Sequence, residues 1–183
     1  MRLARFENAR AISFVPPDGE FDLMTYRVGM TVKPLFYLDV QTKLIGSTKF
    51  EVTVVAKALF KSKTTANDVE IHIPIPTDAF NPTFKTASGS VSYYPDEDAI
   101  IWQNSSFQGE SEVRMKSQMQ LPTIVSPGRD NYKKLPCKIS FEIPYFTVSG
   151  INVRYLKVTE ESGYDAVPWV RYMTESGEYF VRT

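Results

Sequence analysis

One cysteine in 183 residues, Cys137, leaves no means of building an internal disulfide framework and fits a reducing compartment. Histidine is as scarce: His72 stands alone, and no second histidine or cysteine pair completes a zinc-ligand set around it. Charge of either sign is not in excess, 21 lysines and arginines facing 21 aspartates and glutamates, so nothing global recruits nucleic acid or an anionic membrane. No apolar run approaches the roughly 20 residues that cross a bilayer, and Met1-Arg-Leu-Ala-Arg-Phe6 has no apolar core like that of a signal peptide. The expectation is a soluble intracellular chain. Repeats, low-complexity tracts, glycine-rich phosphate loops and any amphipathic helix of three turns are missing as well.

What is present is alternation. Phe50-Glu-Val-Thr-Val-Val-Ala56, Val69-Glu-Ile-His-Ile73, Val113-Arg-Met-Lys116 and Cys137-Lys-Ile-Ser-Phe-Glu-Ile143 place apolar side chains at every second position. Breakers separate such runs: Pro16-Pro-Asp-Gly19, Pro95-Asp-Glu-Asp98, Ser126-Pro-Gly128 and Ser176-Gly177. Twelve prolines and nine glycines punctuate the chain. Short strands with frequent turns predict an all-β sandwich. The longest polar loop, Ser126 to Lys134, is expected to be mobile.

The C-terminal region carries the candidate chemistry. Ser149-Gly-Ile-Asn-Val-Arg-Tyr-Leu-Lys-Val158 and Pro168-Trp-Val-Arg-Tyr172 read as strands. On a strand Trp169 and Arg171 project together, with Val170 opposed. An indole beside a guanidinium suits a flat aromatic ring, held by stacking and cation–π contact. Val170 with Val153 and Leu156 would line an apolar hollow nearby. Val153 and Leu156 differ in strand parity, so sharing one pocket requires a twist, a bulge or a sheet edge. The plain alternative makes Trp169 a core aromatic and Arg171 a solvated partner of a carboxylate.

Arg10-Ala-Ile-Ser-Phe-Val-Pro-Pro-Asp-Gly-Glu-Phe21, Val69-Glu-Ile-His-Ile-Pro-Ile-Pro76, Phe141-Glu-Ile-Pro-Tyr-Phe146 and the two C-terminal stretches occur in an order that resembles the mu homology (cargo-binding) domain of clathrin adaptor medium (mu) subunits. The resemblance spans essentially the whole chain. It implies two elongated antiparallel β-sandwich subdomains, the second inserted into the first: residues 1–35 and 147–183 in the first, 36–146 in the second. It also implies that the family domain begins upstream of Arg2-Leu-Ala-Arg-Phe6, so that the first sandwich is truncated and invites strand exchange or dimerisation. The family's tyrosine pocket draws an aspartate, a phenylalanine and a lysine from that upstream part.

Carried over, the resemblance assigns Trp169 and Arg171 to a cargo tyrosine pocket and Val153, Leu156 and Val170 to an apolar pocket. Both read signals of the form tyrosine, any, any, bulky apolar, added as a strand to a sheet edge. The implied partners are the other adaptor subunits, cytosolic tails of membrane cargo and, indirectly, the clathrin coat. Membrane association would be peripheral. No cofactor is implied.

Where the plasma-membrane member carries lysines for phosphoinositides, the matching positions read Ser88, Ser90 and Ser92, then Tyr94, forgoing roughly 1 kcal/mol of attraction per missing charge. Thr65-Ala-Asn-Asp-Val-Glu-Ile-His-Ile-Pro74 is similar instead to the type of adaptor complex one, which serves the trans-Golgi network and endosomes.

Enzymatic readings are poor. His72 and Glu70 form half a metal site or a surface pair. Cys137 lacks an evident base, and Asp96 and Asp98 read as an acidic turn before a calcium site. Tyr93, Tyr94 and Trp102 read either as a ligand platform or as sheet-stabilising aromatics.

Overall fold

Alternating apolar residues close into two packed sheets in the computed structural model, which describes residues 10–163 and 165–182. The chain falls into two units, Met1–Thr31 and Val32–Thr183. In the first unit the described residues form no strand, and the rings of Phe14 and Phe21 tilt together at 5.7 Å.

The second unit contains ten strands among the described residues. They are β1 (Phe36–Ile45), β2 (Lys49–Ala58), β3 (Thr65–Pro74), β4 (Phe80–Thr86), β5 (Ser90–Tyr94), β6 (Ala99–Gln108), β7 (Glu112–Gln120), β8 (Cys137–Pro144), β9 (Met173–Glu175) and β10 (Tyr179–Val181). One sheet runs β1-β2-β7-β4, the other β10-β8-β3-β6-β5, with β9 also on β8. Every pairing is antiparallel. The all-β expectation holds, and each of the four alternating runs lies within a strand.

The inward faces follow from period two. Val52 and Val54 of β2, Met115 and Met119 of β7 and Cys137, Ile139, Phe141 and Ile143 of β8 are all buried. Phe36 is the hub between the sheets, its ring 5.5 Å from Phe60 and Phe107 and 5.0 Å from Phe141. These offset and edge-on aromatic pairs contribute about 0.5–1.5 kcal/mol each beyond area burial. In β3 the buried set shifts phase between Ala66 and Val69, where Asp68 takes φ 48° and the β8 register slips. One extra residue there returns the apolar side chains to the core.

The predicted breakers act in different ways. Pro95–Glu97 forms a 3-10 turn ended by left-handed Asp98. Ser176 and Gly177 do not reverse the chain, because β9 and β10 run in one direction along the same edge of β8. They form a bulge in one strand, at which Phe141 N–H donates to Ser176 Oγ and Ser176 N–H to Phe141 O, both at 2.9 Å.

The loop expected to be mobile is folded. Arg129–Lys134 is a 3-10 helix, and Arg129 donates to Asp78 Oδ2 at 2.7 Å and to the carbonyls of Pro122 and Ile124. Burial pushes the Asp78 carboxyl up, but hydrogen bonds from Arg129 and Ser126 outweigh it and hold the carboxyl below its ordinary range.

The expected strands at 149–158 and 168–172 do not form. Residues 147–172 are irregular where described, and regular pairing resumes at Met173. A strand needs a neighbouring strand for its outward amides, and among the described residues no strand pairs with these segments; the backbone contacts at Tyr172 are single bonds. Both parities in Ile151 to Val158 carry apolar residues, so no single face selects a register.

Candidate functional site

Two short strand-end contacts shape the connection from β8 to β9. Tyr145, with φ 55°, turns the chain out of β8, and its N–H donates to Tyr172 O at 2.8 Å. Thr174 Oγ1 donates to Phe146 O at 2.7 Å. The departing and returning chain are thus clamped at the sheet edge. Farther out, Val153 N–H donates to Tyr172 Oη at 2.9 Å, tying one candidate segment to the other.

Every residue assigned from the sequence lies on this connection and is exposed. Trp169 is 73% accessible, Val153 46%, Leu156 43% and Val170 41%, and Arg171 is exposed as well. Trp169 is therefore not the core aromatic of the plain alternative. The indole and guanidinium stand two residues apart on irregular backbone, so the shared face expected from strand geometry is not imposed here by a ladder. Tyr172 was missed as a positioning residue: its hydroxyl bonds 19 residues away, and sequence spacing carries no sign of that.

The other candidates resolve into structural roles. Trp102 is fully buried, with Nε1 donating to Ser88 O at 2.9 Å. Tyr93 donates its hydroxyl to Ala79 O, leaving only Tyr94 exposed, so the three make no common platform. Ser90 and Ser92 lie on β5, at one edge of the larger sheet, as a neutral strand. His72 has Glu70 3.7 Å from Nε2 and Glu97 3.9 Å from Nδ1. The acids flank opposite ring nitrogens and share no point a cation would occupy. Among the described residues no group of three or more histidine, cysteine or acidic side chains could hold a metal. Burial pushes the Cys137 thiol up to about 11, which keeps it protonated and a poor nucleophile.

Fold and exposed loop together define the class: an antiparallel two-sheet β protein that displays aromatic, cationic and apolar side chains on one long connection. The chain belongs to the adaptor complexes medium subunit family, whose profile matches residues 1–183. It is 48% identical over 182 residues to AP-1 complex subunit mu-1 of Arabidopsis thaliana, covering all of this chain and 42% of that protein. Identity to AP-1 complex subunit mu-2 of Mus musculus is 47% over 183 residues, covering 43% of it. Identity to AP-1 complex subunit mu-1 of Schizosaccharomyces pombe is 48% over 184 residues, again covering 43%. The chain thus spans less than half the length of these relatives. Among solved structures, the Fcho1 mu homology domain of Danio rerio with bound Eps15 peptide aligns at TM-score 0.47 and 11% identity, over 63% of this chain and 40% of that one, a likeness too slight to argue from. No helix among the described residues is long and apolar enough to cross a membrane.

Proposed function

We propose that this chain is cargo-recognition sequence of an adaptor complex of the AP-1 type, reading tyrosine-based signals in cytosolic tails at trans-Golgi network and endosomal membranes. Trp169 and Arg171 take the signal's tyrosine, and Val153, Leu156 and Val170 take its bulky apolar residue. The role is non-catalytic, and the partners are the other adaptor subunits, the cargo tails and, through the complex, the clathrin coat.

One observation carries the assignment within a chain 47–48% identical to AP-1 mu subunits: Trp169 is 73% exposed while Tyr172 ties its segment to Val153. An exposed tryptophan beside an arginine costs solubility and gives the sandwich nothing, whereas a ligand gives it a use. Burying a tyrosine and a leucine stabilises by about 1.5–3 kcal/mol each. Association and ordering offset much of that, leaving dissociation constants of roughly 1–100 μM.

A second reading rests on the absence of strands at 147–172 among the described residues. In it the segment is a scaffold that binds no tyrosine signal by itself. Titration with a labelled tyrosine-signal peptide and its tyrosine-to-alanine control separates the two. Tyrosine-dependent micromolar binding supports recognition; no binding to either peptide favours the scaffold; equal binding to both removes the tyrosine-pocket assignment.

A further inference from the structure

Sheet edges expose unpaired N–H and C=O groups, and folded proteins blunt them with bulges, prolines or brevity. Three edges here are blunted. β4 carries Pro82 and a register shift between Phe80 and Thr83; β5 has five residues; β9 and β10 have three each, split by the bulge at Ser176. The fourth is not. β1 runs ten residues without proline or bulge and, among the described residues, pairs with β2 alone.

Its hydrogen-bond phase follows from the pairing. Leu59 N–H donates to Leu35 O, so odd residues of β1 face β2 and even residues face outward. At the start of the strand Tyr179 Oη accepts the N–H of both Leu35 and Phe36 and donates to the Phe36 carbonyl, so this end of the edge is covered. Leu38 is buried, so the open ladder begins at Val40 and extends through Thr42 and Leu44, with Leu44 and Ile45 exposed.

The strand is also self-complementary. An antiparallel copy centred on Gln41 sets Val40 against Thr42 and Thr42 against Val40, both within the open part of the ladder, and Tyr37 against Ile45. It sets Asp39 against Lys43 twice, and both side chains of that pair lie on the outer face. Val40 and Thr42 of the two copies meet as hydrogen-bonded pairs, as their outward groups require. Centring one ladder step either way loses the Asp39–Lys43 pairing. In the Gln41 register, Thr42 and Val40 of the second copy lie across from Val40 and Thr42, which with Tyr132 and Leu135 line part of an inner-face hollow.

We propose that the exposed edge of β1 is a docking surface for a second copy of this chain, joining the two four-stranded sheets across a two-fold axis at Gln41.

Sedimentation of the full 183-residue chain, from low micromolar to several hundred micromolar, tests the proposal alongside edge variants. Expected is a concentration-dependent dimer. Thr42→Pro, which removes an outward donor, should abolish it while circular dichroism stays that of a β protein. Asp39→Lys and Lys43→Asp should each weaken self-association at least tenfold. Mixing those two single variants, or combining both changes in one chain, should restore it. A concentration-independent monomer overturns the proposal, as does a dimer unaffected by Thr42→Pro and by the charge reversals. Singles that weaken the dimer without rescue on mixing overturn the Gln41 register.

Discussion

The strands between Phe36 and Pro144 and the connection between Tyr145 and Tyr172 have similar apolar content and opposite fates. In the first, Val52, Val54, Ile71, Ile139 and Ile143 fall on the inward parity of their strands, and every one of these is buried. In the second, Ile151, Val153, Leu156, Val158, Trp169 and Val170 are all 40% or more exposed. Apolar composition does not bury a segment. Burial requires a phase that puts apolar residues on one face and a neighbouring strand that takes up the backbone groups. The sandwich strands have both, whereas the connection is clamped at its ends and tied once at Tyr172.

Four perturbations sharpen that contrast, and the largest effect belongs in the aromatic hub. Phe36→Ala empties the space between Phe60, Phe107 and Phe141 and should cost about 3–5 kcal/mol in urea unfolding. A cost below about 1 kcal/mol would mean the sheets do not depend on that contact.

Next is the Asp78–Arg129 pair, at which both side chains are nearly buried. Arg129→Ala leaves the Asp78 carboxylate without its main donor and should destabilise by about 1–3 kcal/mol. The folded-state pKa of Asp78 lies below its ordinary value of 3.8. The pair's contribution is therefore complete above about pH 4 and is lost as pH falls through the lowered pKa. Asp78→Asn should flatten this part of the acid-denaturation profile, and an unchanged profile would remove the pair from it.

Tyr179→Phe deletes the hydroxyl that serves Leu35 and Phe36 while keeping the ring against Phe141. About 1 kcal/mol of stability should go with it, together with faster amide exchange at Leu35 and Phe36.

The smallest stability effect is expected on the connection. Trp169→Ala and Arg171→Ala should each change unfolding free energy by no more than about 0.5 kcal/mol. Each should nevertheless weaken tyrosine-peptide binding by about 2 kcal/mol or more in a protein that binds the peptide. A stability loss as large as that of Phe36→Ala would show these residues to be packing elements, contrary to their exposure.

The sandwich was legible because strand periodicity is a local property. Cys137 to Ile143 announces its buried face in seven residues, and β8 places that face where expected. Candidate residues were legible only as types. The pairing of Trp169 with Arg171 assumed strand geometry that the backbone lacks, and Val153 was linked to its partner segment by a tyrosine hydroxyl that no spacing rule anticipates. The polar run at 126–134 misled in the other direction. Its serine, proline and glycine suggest a loose loop, yet one arginine reaching Asp78, 51 residues away, fixes it.

By itself the sequence determined the all-β character, the buried face of each alternating strand and the family resemblance, since all three reside in local order along the chain. Tertiary structure alone decided which edges are protected and which remain open. It also decided that Ser176-Gly177 bulges rather than turns, and that Trp169 faces solvent. Each of these depends on what lies across the sheet, and hydrogen bonds between strands join residues whose separation in sequence carries no information about their contact.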